Sequence, residues 1–534
     1  MSKNVNSQEI FVLRDLQDYD KAVEETGYGR FHYELLAVSA MSILCMGFQN
    51  VLPSYILSAA CDLHLTSNDE GMLNITFMIG GIISCFLWGT LADNMGRRKV
   101  LYMTHMADAL ITLVCAVLPT ATNLFICRFF NGILIGAPGS IIFTYVAEFQ
   151  PPKYRSPVVC SCGIFFTLSW LILPLMAYFI LPLTQVTCNL GNIIHMSPWR
   201  LFLVIVALPE LFTALWIMKM PETPKFLLAK GYTEKCLRVL ETMYSKNTGM
   251  EVDSYPVRHL VEQKVESENK KAEYDGKVLR VLKAMAYQMK SLFQPPLLVV
   301  TVLTCSIMFA NMFGMFGLGL WLPKIFKRIL QFEMLFPNQT FSINQLVDVQ
   351  VETSKSCDGT FDIADTLNNV IIATSSLVFN IMCGFLATKL HFKVIPLVTM
   401  LLGGATSISF YFLTNSLQIL VVSCLFQASM ITANMTIGSI AVELFPTSVV
   451  GIALCLIMCA GRFGALASNA IFAAFMDTHV EIAVFAVGAV VLLGGLLGFL
   501  VPRKSKEFRA RSLSINHGVE VSVLSSYDNK VCCH

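Results

Sequence analysis

The sequence predicts an all-α membrane protein with twelve transmembrane helices in two pseudo-symmetric six-helix halves, and three observations support this. Of the 534 residues, 55% are hydrophobic and only 14% are charged, whereas roughly a quarter of the residues of a soluble protein are charged. Apolar segments of about 20 residues, the length that crosses a bilayer, recur along the whole chain. Two short charged motifs also occur twice, once in each half.

The repeated motifs have the same spacing in both halves. The first, residues 89–99, holds a carboxylate between two glycines and ends in three positive charges, and a weaker copy begins 295 residues later at Gly384. In each half a Glu-x-x-Pro sequence starts 59 residues after the first glycine, at Glu148 and at Glu443. Two related halves are an arrangement that many secondary transporters share.

Twelve apolar segments are predicted to span the membrane. In chain order they are 33–58, 72–92, 99–119, 122–146, 158–182, 199–220, 295–323, 367–389, 394–413, 417–440, 449–475 and 481–501. Lys and Arg are concentrated in the even-numbered connections, with the connection after span 7 as the exception. Because positive charge marks the cytoplasmic side, both termini are predicted to be cytoplasmic.

These spans divide the chain into five regions. They are a cytoplasmic tail, 1–32; the first half, 33–220; a cytoplasmic linker with short surface helices, 221–294; the second half, 295–501, with an outer loop, 327–364; and a cytoplasmic tail that is expected to be disordered, 502–534. In the linker, Tyr232–Lys246 has the spacing of an amphipathic helix.

The outer side carries two further features. Asn338 begins a glycosylation sequon in the outer loop, and we expect it to carry sugar because the loop is long and accessible. Cys61, Cys188 and Cys357 lie on the same predicted side. The sequence does not indicate which two of them, if any, form a disulfide.

Four motifs together resemble those of the major facilitator superfamily, in its sugar-porter and organic-ion branch. They are residues 89–99, Arg128–Gly136 in span 4, Pro221–Leu228 after span 6 and Val442–Thr447 at the end of span 10. Within that family the chain looks most like the synaptic vesicle glycoprotein 2-like group and its insect members, at Cys127–Phe149, Ser197–Arg200 and Phe316–Pro323. The resemblance implies a cavity lined by helices 1, 4, 7 and 10 and two halves that rock about it.

Three positions differ from the family pattern. Helix 1 has no carboxylate between Met41 and Asn50, Val450 stands where the helix-10 motif has an arginine, and Val501–Lys504 replaces the sugar-porter motif after helix 12. The first difference weighs against proton coupling through helix 1, and the last weighs against a sugar as the substrate.

Four ionisable side chains lie far from the predicted helix ends, where a charge costs at least about 2.5–3.5 kcal/mol by insertion scales. They are His105, Asp108, Glu210 and Arg462. His105 and Asp108 share one helical face and are within reach of each other, and with Glu210 they are candidates for a proton-relay or coupling site. The alternative is a polar cluster that joins helices, which the resemblance favours because it places helices 3 and 6 outside the cavity. Arg462 is expected to be buried and to bind either an anionic group or a carboxylate.

The residues that the resemblance places near the cavity are mostly amides and aromatics. They are Gln49 and Asn50 in span 1, Tyr145 in span 4, Asn311 and Trp321 in span 7, and Gln427 and Asn434 in span 10, together with Arg462. Amides donate and accept hydrogen bonds without the cost of burying a charge. The set therefore predicts a small, neutral or weakly charged organic solute, and the alternative for each residue is a bond that only joins two helices.

A charged cluster on the predicted cytoplasmic face is the candidate gate. It comprises Gly89, Asp93, Gly96, Arg97, Arg98, Arg128, Glu148, Arg155, Glu222 and Glu443. The resemblance implies ion pairs that cross between the halves and close the inner gate. With Val450 in place of one arginine, only Arg155 with Glu443 is expected to form, and Glu148 is expected to turn to Arg97, Arg98 or Arg155. The alternative is that these charges only anchor helix ends.

The sequence leaves two functional hypotheses. The first is a secondary transporter that moves a small organic solute by alternating access. The second is a non-transporting membrane regulator or binding platform, similar to the synaptic vesicle glycoproteins, that retains the fold. An enzyme is not expected, because the chain has no nucleophile–base pattern, phosphate-binding loop or metal-ligand spacing.

No cofactor and no metal are predicted, and the net charge of +2 gives no indication of nucleic-acid binding. The expected partners are the solute and the lipid bilayer, of either the plasma membrane or an intracellular vesicle. Regulatory proteins are expected to bind through the linker and the tail.

Overall fold

A computed structural model gives the fold and divides the chain into two compact units. It describes residues 16–17, 19–60, 63, 67–118, 120–183, 197–260, 286, 289–295, 297–336, 339, 345, 363–387, 393–445 and 449–502. The first unit comprises Met1–Glu273, Pro323–Gln331 and Val351–Leu377, and the second comprises Tyr274–Leu322, Phe332–Gln350 and Val378–His534. The predicted glycosylation site Asn338, the three outer cysteines and the C-terminal tail lie outside the described residues.

The described residues contain eleven helices that are long and apolar enough to cross a membrane, or twelve if one bent pair is a single span. The bent pair, Gly71–Ser84 with Leu87–Met95, has an angle of 47° between its parts and corresponds to predicted span 2. The prediction of an all-α, multi-pass membrane protein is therefore confirmed.

In the first unit, the predicted linker helix packs against other helices. The helices that lie wholly within this unit are α1 Tyr19–Glu25, α2 Arg30–Val51, α3 Pro53–Ala59, α4 Ser67–Ser84, α5 Leu87–Met95, α6 Arg97–Val117, α7 Ala121–Glu148, α8 Pro152–Ile180, α9 Pro198–Lys219, α10 Pro224–Ala229 and α11 Thr233–Thr248. Strands β1 Leu16–Gln17 and β2 His259–Leu260 pair in parallel. The most extensive packing is of α6 on α9, α4 on α7 and α6 on α7.

Helices α4 and α7 approach each other at glycines. A Cβ atom at Gly80 would lie 2.2 Å from the carbonyl oxygen of Phe129, and one at Gly132 would lie 2.0 Å from that of Phe77. The backbones therefore touch, as is common where small residues join membrane helices.

In the second unit, α12 packs on α17, and α15 packs on α16 and α18. The remaining helices are α12 Leu297–Phe316, α13 Leu318–Leu335, α14 Ile363–Ala387, α15 Val394–Ser409, α16 Ser416–Leu444, α17 Val450–Phe475 and α18 Val480–Leu500. Residues 323–331 of α13 and 363–377 of α14 belong to the first unit.

The seventh predicted span ends before the helical segment does in the structure. It was predicted to stop at 323, but α12 and α13 form one apolar stretch from Leu297 to Leu335, broken only at Gly317. The added turns contain four charged residues, yet Ile325, Phe326 and Ile329 are buried. The helix continues because this spacing gives it a buried apolar face.

Candidate functional site

The chain reverses direction between α5 and α6 at a single glycine. Gly96 has a φ of +100°, and a Cβ atom there would lie 2.3 Å from Oε2 of Glu222. Both the backbone conformation and the close carboxylate require glycine at this position. Gly89, a predicted gate residue, lies inside α5 with open space where its side chain would be.

The carboxylate of Glu222 holds the start of α6. Its Oε1 accepts hydrogen bonds from the backbone N–H groups of Arg98 and Thr223, both at 3.1 Å. Nη1 of Arg98 donates to the carbonyl oxygen of Met220 at 3.1 Å. A carboxylate at a helix N-terminus is favourable because the helix dipole is positive there, so these bonds join the end of α9 to the start of α6.

Glu148 pairs with Arg97, one of its three expected partners. The distance from Arg97 Nε to Glu148 Oε2 is 3.3 Å, and that from Arg97 Nη2 to Asp93 Oδ1 is 3.0 Å. Tyr145, on the same helix, was predicted to line a cavity. It is fully buried, and its hydroxyl donates to the carbonyl oxygen of Pro221 at 2.7 Å, so it anchors the segment that follows α9. We call Asp93, Arg97, Arg98, Glu148 and Glu222 the charged end of the first unit.

Two predicted gate residues have other positions or partners. Nη2 of Arg155 binds Oδ1 of Asp20 at 2.9 Å, and the side chain of its expected partner Glu443 lies outside the described residues. Arg128 precedes Glu148 by 20 residues on the single helix α7, about 30 Å at 1.5 Å per residue. Arg128 is therefore not part of the charged end.

Arg128 belongs instead to a network of polar side chains inside the first unit, which we call the buried polar network. Its members are Ser42 and Gln49 on α2, His105, Asp108 and Thr112 on α6, Arg128 and Asn131 on α7, and Glu210 on α9, each at most 2% exposed. Members on the same helix are three, four or seven residues apart, which places them on one face. Four helices thus direct their polar groups to one interior site.

Gln49 connects the cation of this network to a carboxylate. Arg128 donates from Nη1 to Gln49 Oε1 at 2.9 Å and from Nη2 to its carbonyl oxygen at 2.7 Å. Gln49 Nε2 donates in turn to Glu210 Oε2 at 3.1 Å and to Thr112 Oγ1 at 3.0 Å. The guanidinium also lies 4.3 Å from the ring centre of Phe77. Gln49 was predicted to face a cavity, but it instead connects Arg128 to Glu210 inside the first unit.

His105 and Asp108 each bind a partner on another helix rather than each other. Nδ1 of His105 lies 3.1 Å from Glu210 Oε1, and Nε2 lies 2.7 Å from the hydroxyl oxygen of Ser42. Asn131 Nδ2 donates to Asp108 Oδ1 at 2.5 Å. Ser42 was not predicted from the sequence to belong to this site. Its seven-residue spacing from Gln49 was the available signal.

The charged groups of the buried polar network determine how many titratable protons it binds when its net charge is zero. It contains one permanent cation, Arg128, and two carboxyl groups, Asp108 and Glu210. A buried cluster is most stable when its charges cancel. Cancellation needs one further proton, carried either by His105 as a cation or by one of the carboxyl groups. The site can therefore hold one exchangeable proton, and losing it leaves one buried negative charge uncompensated.

The second unit has its own set of amides. Asn311 on α12 donates from Nδ2 to Asn434 Oδ1 on α16 at 3.1 Å. Nε1 of Trp321 lies 3.3 Å from Asn469 Oδ1, and Asn469 Nδ2 donates to the carbonyl oxygen of Phe316 at 3.0 Å. The sequence analysis missed Asn469, although an amide within the apolar span 11 was visible as a signal.

Gln427 is the member of this set whose two polar side-chain atoms are both unsatisfied among the described residues. Its side chain is 2% exposed, and neither Nε2 nor Oε1 has a hydrogen-bond partner among the described residues. Gly319 lies directly opposite, where a Cβ atom would be 2.6 Å from Gln427 Oε1. A buried amide without partners costs free energy, and a bound polar molecule would remove that cost.

Two other residues that were predicted to line the cavity are less suitable for binding a solute. Arg462 is half-exposed rather than buried, because it lies between buried Gly461 and exposed Phe463 at the edge of the packed face of α17. Asn50 is also half-exposed, and its amide donates to the carbonyl oxygen of Met46 on its own helix at 2.7 Å. Among the described residues, no group of three or more His, Cys, Asp or Glu side chains is arranged to hold a metal ion.

Comparison with known proteins gives consistent matches. The family model described as "Sugar (and other) transporter" matches residues 31–334, more than half of the 534-residue chain. Synaptic vesicle glycoprotein 2A of Rattus norvegicus is 24% identical over 328 residues, which cover 59% of this chain and 44% of that protein. Synaptic vesicle glycoprotein 2B of the same species is 30% identical over 230 residues, which cover 43% and 34%. The chain aligns with less than half the length of these relatives.

Solved structures match over most of the chain. The partially occluded inward-open xylose transporter XylE from E. coli has a TM-score of 0.61 at 14% identity, covering 89% of this chain and 100% of that one. A structure of the proton:xylose symporter XylE bound to 6-bromo-6-deoxy-D-glucose has a TM-score of 0.60 at 16% identity, covering 88% and 96%. At these identities the likeness concerns the fold, and it confirms the predicted major facilitator architecture.

Proposed function

We propose that this chain, which belongs to the sugar (and other) transporter family, is a secondary transporter that moves a small organic solute across a membrane by alternating access. The observation that carries the proposal is the buried, unpartnered amide of Gln427 in the second unit. An enzyme does not fit the family or the fold. The solute, the coupling ion and the membrane are parts of the proposal.

The chemistry around Gln427 indicates the class of solute. The other polar groups of this set in the second unit are the amides of Asn311, Asn434 and Asn469 and the indole N–H of Trp321. These groups are uncharged and include both donors and acceptors. They suit a neutral or weakly charged molecule with several hydroxyl, carbonyl or amine groups, and they would leave a strongly charged molecule without a counter-ion.

The buried polar network of the first unit is the proposed coupling site. It holds one proton at zero net charge on His105, Asp108 and Glu210, and its members come from four helices. A shift of helices that separates Glu210 from His105 would change where that proton is stable. One of the structural neighbours is a proton:xylose symporter, and a proton is the coupling ion that we propose here.

A second function has specific support. Helix α2 has no carboxylate between Met41 and Asn50, and the relatives that match are synaptic vesicle glycoproteins. A non-transporting regulator would retain the same fold. It would lie in a vesicle membrane or the plasma membrane, with both termini in the cytoplasm. It would bind solute without moving it, so transport itself separates the two functions.

The proposal predicts uptake that depends on Gln427. Purified protein in proteoliposomes is tested for uptake of radiolabelled neutral and weakly charged solutes, with and without a pH gradient. We expect at least one solute to enter faster than in empty liposomes. Gln427→Ala should slow its uptake by about tenfold or more, since up to two hydrogen bonds to the solute are lost. Gln418→Ala, an exposed glutamine on the same helix α16, is the matched control and should transport normally. Absence of any uptake, or equal losses in both variants, would contradict the proposal.

A further inference from the structure

The segment that precedes the first membrane helix is packed into the structure rather than extended away from it. Residues 16–32 contain β1, the short helix α1 and the start of α2, and we call them the N-terminal strap. Ala22, Val23 and Thr26 on this strap are completely buried. The strap lies between two parts of the first unit, the ends of α7 and α8 and the linker that follows α9.

One side of the strap binds the end of α7 and the start of α8. The hydroxyl of Tyr19 donates to the carbonyl oxygen of Glu148 at 2.5 Å, and Asp20 Oδ1 binds Arg155 Nη2 at 2.9 Å. Nε2 of His32 lies 3.2 Å from the carbonyl oxygen of the residue after Glu148. The strap thus neutralises an arginine next to the charged end, whose carboxylate Glu148 is bound to Arg97.

The other side binds the linker through hydrogen bonds to the backbone. The amide of Asn247 donates to the carbonyl oxygens of residues 26–27 at 3.0 and 3.1 Å, and its Oδ1 accepts from the N–H of Phe31 at 3.1 Å. The hydroxyl of Tyr255 donates to the carbonyl oxygen of Ala22 at 2.6 Å. Strand β1 also pairs with β2 of the linker. The phenol therefore binds the middle of α1, and the amide binds the residues that follow its end.

The strap is built so that it is ordered only when it is bound. Helix α1 has seven residues, and an isolated helix of that length is not stable in water. The pair between Asp20 and Arg155 is weak, because the two side chains are 48% and 35% exposed. Release of α1 would expose few large apolar groups, since its fully buried positions are Ala22 and Val23. Local release of such a segment is possible without unfolding the membrane helices.

We propose that residues 16–32 form a detachable strap that braces the linker against the ends of α7 and α8 and thereby restrains the conformational change of the transporter. When the strap is bound, Asp20 neutralises Arg155 and the linker from residue 247 to residue 260 is held in place. When it detaches, the guanidinium of Arg155 becomes free to bind other carboxylates and the linker loses these contacts. Because the linker connects α9 to α12 in the chain, its release changes the freedom of both units.

A native thiol reports detachment. Cys236 on α11 is completely buried and has Tyr19 and Tyr255 as neighbours, and burial raises the pKa of its thiol to about 12. The reactive thiolate is therefore rare and shielded while the strap is bound. The rate at which a maleimide modifies Cys236 in the full-length protein, followed by mass spectrometry of its peptide, measures how often the strap opens.

Two variants weaken the strap to different degrees. Tyr255→Phe removes one hydrogen bond and should raise the labelling rate of Cys236 about two- to tenfold. Asn247→Ala removes the bonds to residues 26–27 and to Phe31, and it should raise the rate by more than tenfold. The matched control is Tyr244→Phe, whose hydroxyl binds Met250 Sδ and not the strap, and it should leave the rate unchanged.

A second thiol in the same sample separates detachment from unfolding. Cys45 is 1% exposed inside membrane helix α2. Faster labelling of Cys236 with Cys45 still protected supports a detachable strap. Equal acceleration of both thiols would show that the strap is part of the permanent core, and an unchanged rate at Cys236 in both strap variants would show that it does not cover the linker. Either result overturns the proposal.

The restraint on conformational change has a separate readout that needs no solute. Nitroxide amino acids are introduced at two exposed positions, Lys99 in the first unit and Val394 in the second. Pulsed electron–electron resonance then gives the distribution of distances between them. Asn247→Ala should shift or broaden that distribution relative to the wild type and to Tyr244→Phe. An identical distribution in all three proteins would leave a strap that detaches but restrains nothing, and the proposal would fail.

Discussion

Arg128→Met should destabilise the first unit by about 3–5 kcal/mol, since it removes a buried cation and leaves the buried carboxyl groups of the network without its compensating charge. Arg128 is 1% exposed and donates two hydrogen bonds to Gln49. Without its charge, the carboxyl groups of Asp108 and Glu210 have only His105 as a cation among the members of the network. The interior must then hold an uncompensated negative charge or bind an additional proton.

The measurement is thermal unfolding of the purified variant in detergent. Arg30→Met, which removes an exposed arginine at the start of α2, is the matched control and should change stability little. Adding Asp108→Asn to Arg128→Met removes one negative charge, so the double variant should be more stable than Arg128→Met alone. If the two changes add their full individual costs, the charges are not coupled and the network is only a set of packed side chains.

Gln427→Met should have the opposite effect on stability, raising it by about 1–3 kcal/mol in the absence of solute. The wild-type side chain is buried with two unsatisfied polar atoms, and methionine has similar volume without them. The same change should abolish solute binding and uptake. Higher stability combined with lost activity would identify Gln427 as a group that is strained in the empty protein because it serves the solute.

Asn469→Leu is the control for this second prediction. Its amide is also buried, but it bonds to Trp321, Phe316 and Ala465. We expect it to lower stability, because the partners of a satisfied amide are left without hydrogen bonds. If Gln427→Met lowers the unfolding temperature as Asn469→Leu does, and solute uptake is unchanged, Gln427 is an ordinary packing residue.

The helices were predictable from the sequence because each one needs about 20 apolar residues to cross the bilayer. The positions at which the helices begin and end were less predictable from the sequence. The turn before α6 depends on the φ of Gly96 and on the carboxylate of Glu222, which is 126 residues away in the chain. Neither of these features is visible in the local sequence. The extension of α13 was missed because its charged residues conceal a buried apolar face.

The buried polar network was predictable in part. His105, Asp108 and Glu210 were identified because ionisable groups within apolar spans are rare. Their actual partners were not, because a hydroxyl such as Ser42 or an amide such as Asn131 is common in membrane helices. Only packing brings these groups together. Arg462 was predicted to be buried for the same reason as Glu210, yet the side of a helix that packs on its neighbours is not determined by the presence of one charge.

The most direct test of the account is solute movement driven by a proton gradient through the first unit. Proteoliposomes containing wild-type protein or Glu210→Gln are loaded with a transported solute and given an inward pH gradient. Wild-type protein should accumulate solute above its external concentration. Glu210→Gln keeps the shape of the side chain but removes its charge and should exchange labelled for unlabelled solute without accumulating it. Accumulation by Glu210→Gln at the wild-type level would contradict coupling through the network, and absence of both exchange and accumulation in the wild type would contradict transport itself.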